Sequence, residues 1–181
     1  MTGRRILRLL PLLSVVFSLL ICGGHTLAQK SPAPAGILNR DQVAPLVPPS
    51  VFYRGQVAPT QGRNSAGYKF SEGKVFVASL VDTSGYSSAV QQTYQGYLIV
   101  EVPLSFGGKT LAPGAYGFGF IAGNRMVAMD IGGNEVLSTS TTADTGLARP
   151  NPLQVLPDPT SANSFRLYLG RNFVTVSPAA K

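Results

Sequence analysis

The sequence predicts an all-β protein with a single antiparallel domain, either a β-sandwich or a small barrel of about eight or nine short strands. Three observations favour this fold class. Apolar residues alternate with a period of two from Gly67 onward, turn residues recur about every 8–12 residues, and no segment has the convincing periodicity of an amphipathic helix. Such patterns are typical of antiparallel sheets that pack one face on a core.

Residues 1–28 have the three-part organisation of an export signal. A basic start precedes an apolar run over residues 9–22, and small residues follow near Ala28. We therefore expect cleavage between Ala28 and Gln29 and export to the periplasm or the extracellular space. The alternative is an uncleaved membrane anchor, but the apolar run is shorter than the roughly 20 residues that span a bilayer.

Removal of residues 1–28 changes the chemistry available to the protein. The sequence has one histidine, His25, and one cysteine, Cys22, and both lie in the signal segment. A mature chain without them cannot use a Ser-His-Asp triad or a Cys-His pair, and it cannot form a disulfide or an ordinary zinc site. We therefore expect no metal and no cofactor.

The charge pattern argues against nucleic acid as a partner. The precursor carries 15 basic and 8 acidic residues, and loss of three arginines leaves 12 basic and 8 acidic residues, a net charge of +4. The basic residues are scattered singly, whereas a nucleic-acid-binding protein usually clusters them on one face. Membrane contact is expected only through the signal segment, if it is not cleaved.

The mature chain begins with a segment rich in proline and alanine. Proline removes backbone donors and favours extended conformations, so residues 29–48 are predicted to form a flexible leader ahead of a single β domain over residues 49–178. A short first strand is predicted at residues 51–53. Residues 55–67 combine glycines with Gln, Asn and Ser, and they are predicted to form a loop.

The best-defined strands are predicted between residues 74 and 106. Residues 74–81 form an apolar run that is typical of a strand buried on both faces. Residues 97–106 alternate in polarity, which predicts one continuous strand. Residues 88–94 permit either a short helix or a strand, and the sequence leaves this choice open.

Residues 107–133, GGKTLAPGAYGFGFIAGNRMVAMDIGG, are predicted to form a β-hairpin unit in which most glycines occupy turns. Gly117 and Gly119 instead alternate with aromatic residues and leave one face of a strand without side chains. Such a face admits a large neighbouring side chain or a ligand. The strands predicted to complete the domain are an edge strand at 135–141 and three closing strands at 153–156, 164–169 and 172–177.

Residues 107–116, Gly-Gly-Lys-Thr-Leu-Ala-Pro-Gly-Ala-Tyr, are followed by an aromatic strand and a hairpin. This phrase resembles a segment of small exported bacterial β-sandwich proteins of unknown function. The resemblance covers about residues 107–133 and implies an exported β-sandwich. It implies no activity, and no catalytic residue is carried over from it.

Tyrosine best marks a candidate binding surface, because it combines an apolar ring with a polar tip that suits glycans, peptides and partner proteins. The predicted ligand-binding residues are Tyr86, Tyr94, Tyr97, Glu101 and Tyr116. The alternative is that these rings fill the core, and the sequence does not decide between the two for Tyr94 and Tyr97.

An enzymatic alternative depends on carboxylates. A glycan hydrolase needs two carboxyl groups that face each other across a cleft. Glu101 with Asp130 or Glu135 would supply such a pair if their strands were neighbours. Solvated strand faces explain the same residues, so the sequence favours a protein that is not an enzyme.

The sequence thus predicts an exported, non-catalytic β domain that is a binding module or an envelope component. It would recognise a glycan, a peptide or a partner protein through tyrosine-bearing strands. One alternative is the carboxylate-dependent glycan hydrolase. Another is a subunit of an envelope assembly, which an exposed apolar patch or an unpaired strand edge would indicate.

Overall fold

The computed structural model describes residues 35–179, which lie in one compact unit. The predicted signal peptide, its cleavage site and residues 29–34 of the predicted leader fall outside the described residues. Residues 35–179 form 14 strands in two antiparallel sheets, one of eight strands and one of six. The sheets stay separate and pack face to face, so the all-β prediction is confirmed as a sandwich rather than a barrel.

The larger sheet has eight strands. They are β1 (Gly36–Leu38), β2 (Ser50–Tyr53), β3 (Gln56–Lys69), β4 (Val75–Val81), β5 (Gly96–Val100), β8 (Gly114–Ile121), β9 (Arg125–Met129) and β10 (Glu135–Ser140). Their spatial order is β1-β3-β4-β5-β8-β9-β10, and β2 also pairs with β3.

The smaller sheet has six strands. They are β6 (Leu104–Phe106), β7 (Lys109–Leu111), β11 (Thr142–Ala143), β12 (Leu153–Pro157), β13 (Phe165–Leu169) and β14 (Asn172–Pro178). Their order is β12-β13-β14-β6-β7, with β11 paired to β14. The predicted edge strand and the three closing strands therefore correspond to β10 and to β12, β13 and β14.

Within residues 35–179, helical structure is limited to short connections. They are α1 (Arg40–Val43), a 3₁₀ turn (Ala44–Leu46) and α2 (Ser88–Gln91). The segment at residues 88–94, which the sequence left open, therefore begins with one helical turn. No helix within residues 35–179 is long and apolar enough to span a membrane.

Residues 35–48 were predicted to belong to a flexible leader, and they contain the edge strand β1 followed by α1 and the 3₁₀ turn. β1 pairs with the end of β3. α1 begins with a capping box, in which the Gln42 N–H donates to Asn39 Oδ1 at 3.0 Å and the Asn39 N–H donates to Gln42 Oε1 at 2.9 Å. Val43 is fully buried. The prolines occupy connections, where their missing N–H groups leave no ladder bond unmade.

Residues 55–67, predicted to form a loop, belong mainly to β3, which is 14 residues long. β3 pairs with β2 near its start, with β1 near its end, and with β4 on its other side. Its register shifts between Gln61 and Ser65. The turn-forming residues therefore occupy a bulge, and pairing along the rest of the segment keeps it extended.

The strand predicted at residues 97–106 is divided between the two sheets. β5 ends at Val100 in the larger sheet, and β6 begins at Leu104 in the smaller one. Pro103 lies between them, and it cannot donate to a ladder because it has no N–H. The apolar residues on both sides of this corner face the same core. Such divisions and several very short strands explain why 14 strands form where about eight or nine were predicted.

Residues 107–133, predicted to form one hairpin unit, are divided between the two sheets: β8 and β9 form the expected hairpin in the larger sheet, whereas β7 pairs with β6 in the smaller one. Gly107 and Gly108, with φ of 55° and 88°, join β6 to β7. Gly123 and Asn124, with φ of 80° and 54°, join β8 to β9. These left-handed conformations favour glycine and asparagine, which explains the composition of both turns.

Two apolar clusters hold the domain together. The inter-sheet core draws side chains from both sheets, among them Phe76, Phe106, Phe118 and Phe165. A second cluster lies on the outer face of the larger sheet, under the β2–β3 hairpin and the segment that contains α2. Alternate residues of β9 face the two clusters, so this strand is covered on both sides.

The two ends of the described chain lie at one end of the sandwich. Ala35 and Pro178 line the same cavity, whose volume is about 320 Å³. Ala179 also donates its N–H to the Pro103 carbonyl oxygen at 3.0 Å. The last strand is therefore fixed close to the point where the first strand begins.

Candidate functional site

Three tyrosines form a packed group on the outer face of the larger sheet. We refer to Tyr53, Tyr86 and Tyr94 as the tyrosine cluster. The rings of Tyr53 and Tyr94 are stacked with centroids 3.8 Å apart, and Tyr86 meets them edge-on at 6.1 Å and 5.5 Å. Stacked and edge-on contacts stabilise aromatic groups beyond the gain from area burial. The cluster therefore fixes the β2–β3 hairpin and the α2 segment on the sheet.

Gly117 provides the space for this cluster. A Cβ atom at this position would lie 2.9 Å from the Tyr53 ring and 3.0 Å from the Tyr94 ring. A Cβ atom at Gly119 would overlap the carbonyl oxygen of Thr93. The strand face without side chains therefore admits large neighbouring groups of the chain itself, which was one of the two predicted alternatives.

The three hydroxyl groups differ in their hydrogen bonds. Tyr86 Oη donates to the Tyr53 carbonyl oxygen at 3.0 Å, and Tyr53 Oη donates to Met129 Sδ at 3.1 Å. Tyr94 Oη is buried without a partner among the described residues. Burial raises the pKa of all three phenols. They therefore stay protonated at neutral pH and act as packing groups.

The structure separates the five predicted ligand-binding residues. Tyr86 and Tyr94 are only 7% and 0% exposed. Tyr97 is half-buried beside the tyrosine cluster, and burial raises its pKa. Tyr116 packs on the opposite face of the sheet, against the inter-sheet core, and its hydroxyl donates to the Ala112 carbonyl oxygen at 3.0 Å. The four tyrosines therefore do not share one binding surface, because two of them fill a core.

Glu101, the fifth predicted residue, has a structural role at a strand end. Its side chain is exposed, and Glu101 Oε2 accepts the Val75 N–H at 2.9 Å. β8 lies between β5, which Glu101 follows, and β9, which Asp130 follows. The two carboxylates therefore do not lie on neighbouring strands, as the enzymatic alternative required.

Asp130 and Glu135 flank the turn between β9 and β10, and each has a local partner. Asp130 accepts the Asn134 N–H at 2.9 Å, and hydrogen bonds from Asn134 hold the pKa of Asp130 below its usual range. Glu135 lies 3.3 Å from the Arg125 guanidinium in an exposed ion pair. These contacts are local to the β9–β10 hairpin, and neither carboxylate lies on a strand next to β5.

Asp158 is the buried carboxylate that the sequence analysis did not single out. It lies 3.3 Å from the Arg166 guanidinium and accepts hydrogen bonds from the Thr160 N–H at 3.1 Å and from Ser164 Oγ at 3.0 Å. Burial raises the pKa of Asp158, but these hydrogen bonds and the Arg166 charge outweigh it, so the pKa lies below its usual range. The Asp-Pro-Thr sequence indicates such a turn. The group fixes the β12–β13 connection.

An exposed apolar surface occurs on the β2–β3 hairpin. Val51 and Tyr53 point into the second cluster, whereas Phe52 and Val57 face away from it and are 49% and 65% exposed. Phe52 and Val57 are direct cross-strand partners, and we call this pair the hairpin patch. The alternation of residues 51–53 in the sequence already indicated that Phe52 faces away from Val51 and Tyr53. The patch was missed because residues 55–67 were predicted to form a loop.

Residues 35–179 contain no group of three His, Cys, Asp or Glu side chains that could hold a metal ion. Comparisons with known proteins found no matching family model, no similar curated protein and no similar solved structure. The resemblance of residues 107–133 to small exported β-sandwich proteins therefore stays a prediction.

Proposed function

We propose that this protein is an exported, non-catalytic envelope or secreted domain that binds a partner protein through the hairpin patch. The observation that carries the proposal is the exposure of Phe52 and Val57 side by side, at 49% and 65%. Large apolar side chains that are exposed in a contiguous pair mark interaction surfaces more often than isolated ones do. The patch thus replaces the tyrosine-lined strands as the candidate recognition surface.

The hairpin is well suited to binding because it is fixed before a partner arrives. Arg54 and Gly55 form its two-residue turn with φ of 47° and 82°, as in a type I′ turn. The Arg54 N–H donates to the Ile131 carbonyl oxygen at 3.0 Å, which ties the turn to the sheet. Tyr53 anchors the inner face in the tyrosine cluster. A rigid surface loses little conformational entropy on binding.

The arrangement of polar groups supports a non-catalytic role. Glu101 is separated from Asp130 by β8 and from Glu135 by β8 and β9, and each carboxylate has a structural partner. Cleavage of a glycosidic bond requires two carboxyl groups across one cleft. A glycan platform is also less well supported than a protein partner, since two of the predicted tyrosines are buried.

Export is the second part of the proposal, and residues 1–28 carry it through their basic start, apolar run and small residues before Gln29. Mature protein recovered from the host envelope or medium should begin at Gln29. N-terminal sequencing measures this directly. A chain that retains Met1 would contradict removal of the signal, although it would leave the proposed binding surface untouched.

Site-specific photo-crosslinking in the host tests the binding surface. A photo-reactive amino acid at position 57 should give one discrete adduct, whereas the same group at Thr142, an exposed residue on β11, should give none. The double variant Phe52→Ser with Val57→Ser should keep its fold and should no longer be recovered with the crosslinked partner. Equal labelling from positions 57 and 142 would contradict the proposal. An adduct of two copies of this chain would instead favour the envelope-assembly alternative.

A further inference from the structure

A groove separates the two sheets at one side of the sandwich. Its volume is about 360 Å³. Residues of β1, α1 and the β3 bulge line one wall, and Asn151–Leu156, which include most of β12, line the other. We call it the β12 groove. It shares no residue with the hairpin patch, so it is a second surface of the domain.

The wall formed by β12 is an unpaired strand edge. β12 pairs only with β13 among the described strands. The Gly170 N–H donates to the Pro152 carbonyl oxygen at 3.0 Å, and the Asp158 N–H donates to the Ser164 carbonyl oxygen at 3.3 Å. Even-numbered residues of β12 therefore face β13, because hydrogen-bonded pairs alternate in an antiparallel ladder.

The odd-numbered residues of β12 consequently turn their backbone groups toward the groove. Leu153 and Val155 each present an N–H and a carbonyl oxygen there, and Pro157 presents a carbonyl oxygen alone. The strand is five residues long, which corresponds to about 17 Å. Such an edge can accept one more strand, whose own backbone groups would supply the missing hydrogen bonds.

The opposite wall is positively charged. Arg40 and Arg63 both line the groove, and no aspartate or glutamate lines it. Neither arginine has a carboxylate within 4.0 Å among residues 35–179, where the ion pairs are Arg125 with Glu135 and Arg166 with Asp158. Both arginines are exposed. The charge of the groove is therefore available to a ligand.

The side-chain amide of Gln154 adds a further unmet donor. Gln154 lines the groove, and its Nε2 atom is buried without a hydrogen-bond partner, although its Oε1 accepts from Asn151 Nδ2 at 3.1 Å. A buried donor without a partner is unfavourable, and an acceptor in the groove would relieve it. The groove thus combines cationic side chains with unused donors and contains no carboxylate.

We propose that the β12 groove binds an extended acidic peptide segment of a partner protein, which adds to the smaller sheet as a strand beside β12. Strand addition uses the free N–H and carbonyl groups of Leu153 and Val155. Carboxylates of the peptide pair with Arg40 and Arg63 on the facing wall. Backbone pairing supplies affinity for an extended chain, and the arginines select for acidic side chains.

Fluorescence anisotropy with a defined probe tests the charge requirement. The probe is a labelled peptide of alternating glutamate and valine, and the protein is the mature chain, residues 29–181. The probe should bind, and Arg63→Glu should weaken binding about tenfold, since reversal replaces an attraction with a repulsion. Lys109→Glu is the matched control, because it makes the same change in net charge on the β7 strand, outside the groove. It should leave the dissociation constant within about twofold.

The controls separate this proposal from the hairpin patch and from misfolding. Circular dichroism and the melting temperature should be unchanged in both charge variants. The double variant Phe52→Ser with Val57→Ser should bind the probe as the unaltered protein does, so failure of one surface does not imply failure of the other. Equal weakening by Arg63→Glu and Lys109→Glu, or equal binding of a lysine-valine peptide, would overturn a selective acidic site.

Backbone methylation of the probe tests strand addition. One peptide is methylated on the N–H groups of its glutamates, and a second on those of its valines. One of the two should lose binding and the other should retain it, because alternate N–H groups face β12. Equal effects of both would overturn strand pairing. The amide resonances of Leu153 and Val155 should shift when the probe binds.

Two other possible occupants of the β12 groove, the chain's own leader and a second copy of the chain, would give different results in nuclear magnetic resonance experiments. Without probe, contacts between residues 29–34 and Val155 would assign the groove to the chain's own leader. A concentration-dependent dimer that Arg63→Glu dissociates would assign it to a second copy. Either result would overturn the proposal of an acidic partner segment.

Discussion

The inter-sheet core and the tyrosine cluster are equally buried but are built in different ways. Phe118 in the inter-sheet core and Tyr94 in the tyrosine cluster are both 0% exposed. The inter-sheet core joins strands from both sheets, whereas the tyrosine cluster attaches one hairpin and one short segment to the back of a single sheet. The first region holds the sandwich together, and the second fixes additions to it.

The two regions also differ in their polar content. The inter-sheet core is built from aromatic and aliphatic side chains, and all of its members are apolar except the half-buried tyrosines at its margin. The tyrosine cluster buries three hydroxyl groups, one of which has no partner. Its rings also need a glycine beneath them. The stability of the inter-sheet core therefore depends mainly on close packing of apolar side chains. The stability of the tyrosine cluster also depends on the space above Gly117 and on its phenols remaining protonated.

The largest effect is expected from Phe118→Ala in the inter-sheet core. This change removes a fully buried ring between the sheets, and the free energy of unfolding should fall by about 3–5 kcal/mol. Urea unfolding followed by circular dichroism measures it. Phe52→Ala on the exposed hairpin patch is the control and should change stability by less than about 1 kcal/mol. Similar losses for both variants would contradict the assignment of this core.

Gly117→Ala should have the next largest effect. The added methyl group would press on the rings of Tyr53 and Tyr94, and such overpacking costs about 1–3 kcal/mol. Gly62→Ala is the matched control, because a Cβ atom there meets nothing within 4 Å. It should change stability by no more than about 0.5 kcal/mol. A neutral Gly117→Ala would mean that the cluster is loosely packed.

The pH dependence of stability should distinguish the two regions next. Burial raises the pKa of Tyr53, Tyr86 and Tyr94 in the folded state, whereas unfolded tyrosine titrates near pH 10. The stabilisation is complete below that value and is lost as the pH rises through the folded pKa values. Each group contributes a slope of up to about 1.4 kcal/mol per pH unit above pH 10.

Urea unfolding at pH 8 and at pH 10.5 measures this loss. Tyr94→Phe should reduce the fall in stability, because it removes one raised pKa. Met126→Leu in the inter-sheet core is the control, because it removes no titratable group and nearly conserves volume, and it should leave the fall nearly unchanged. An identical pH response in the unaltered protein and Tyr94→Phe would show that the buried phenol does not govern alkaline unfolding.

The smallest effect is expected from Tyr94→Phe at neutral pH, and its sign is the informative part. Removal of a buried hydroxyl that has no partner should raise the free energy of unfolding by about 1 kcal/mol. Tyr86→Phe should lower it by about the same amount, because that hydroxyl donates to the Tyr53 carbonyl oxygen. Loss of stability in Tyr94→Phe would indicate that a water molecule satisfies its hydroxyl.

The regular parts of the fold were predictable because their signals are local. Alternation over residues 97–106 identified the buried face on both sides of the corner, and glycines identified the turns of the unit at residues 107–133. Pro103, which cannot donate to a ladder, marked the point where the chain passes from the larger sheet to the smaller one. Residues 55–67 were not predictable from composition, since pairing with β2 and β4 overrides turn preferences.

The candidate surfaces were less predictable than the fold because they depend on contacts between distant residues. Tyr94 was predicted to be a ligand-binding residue, with the core as the alternative, and only the approach of Tyr53 over Gly117 shows that its ring is buried. The separation of Glu101 from Asp130 likewise depends on the insertion of β8 between their strands. The β12 edge required knowledge of the spatial strand order, which periodicity does not supply.

The shared cavity of Ala35 and Pro178 has a consequence for the connectivity of the chain. Two ends that lie together make the fold nearly circular, so a short peptide could join them and new ends could be opened at the exposed Gly123 turn. Such a permuted protein would be synthesised with its strands in a different order. We expect it to form the same sandwich, because the fold is determined by which strands pair and not by the order in which they occur along the chain.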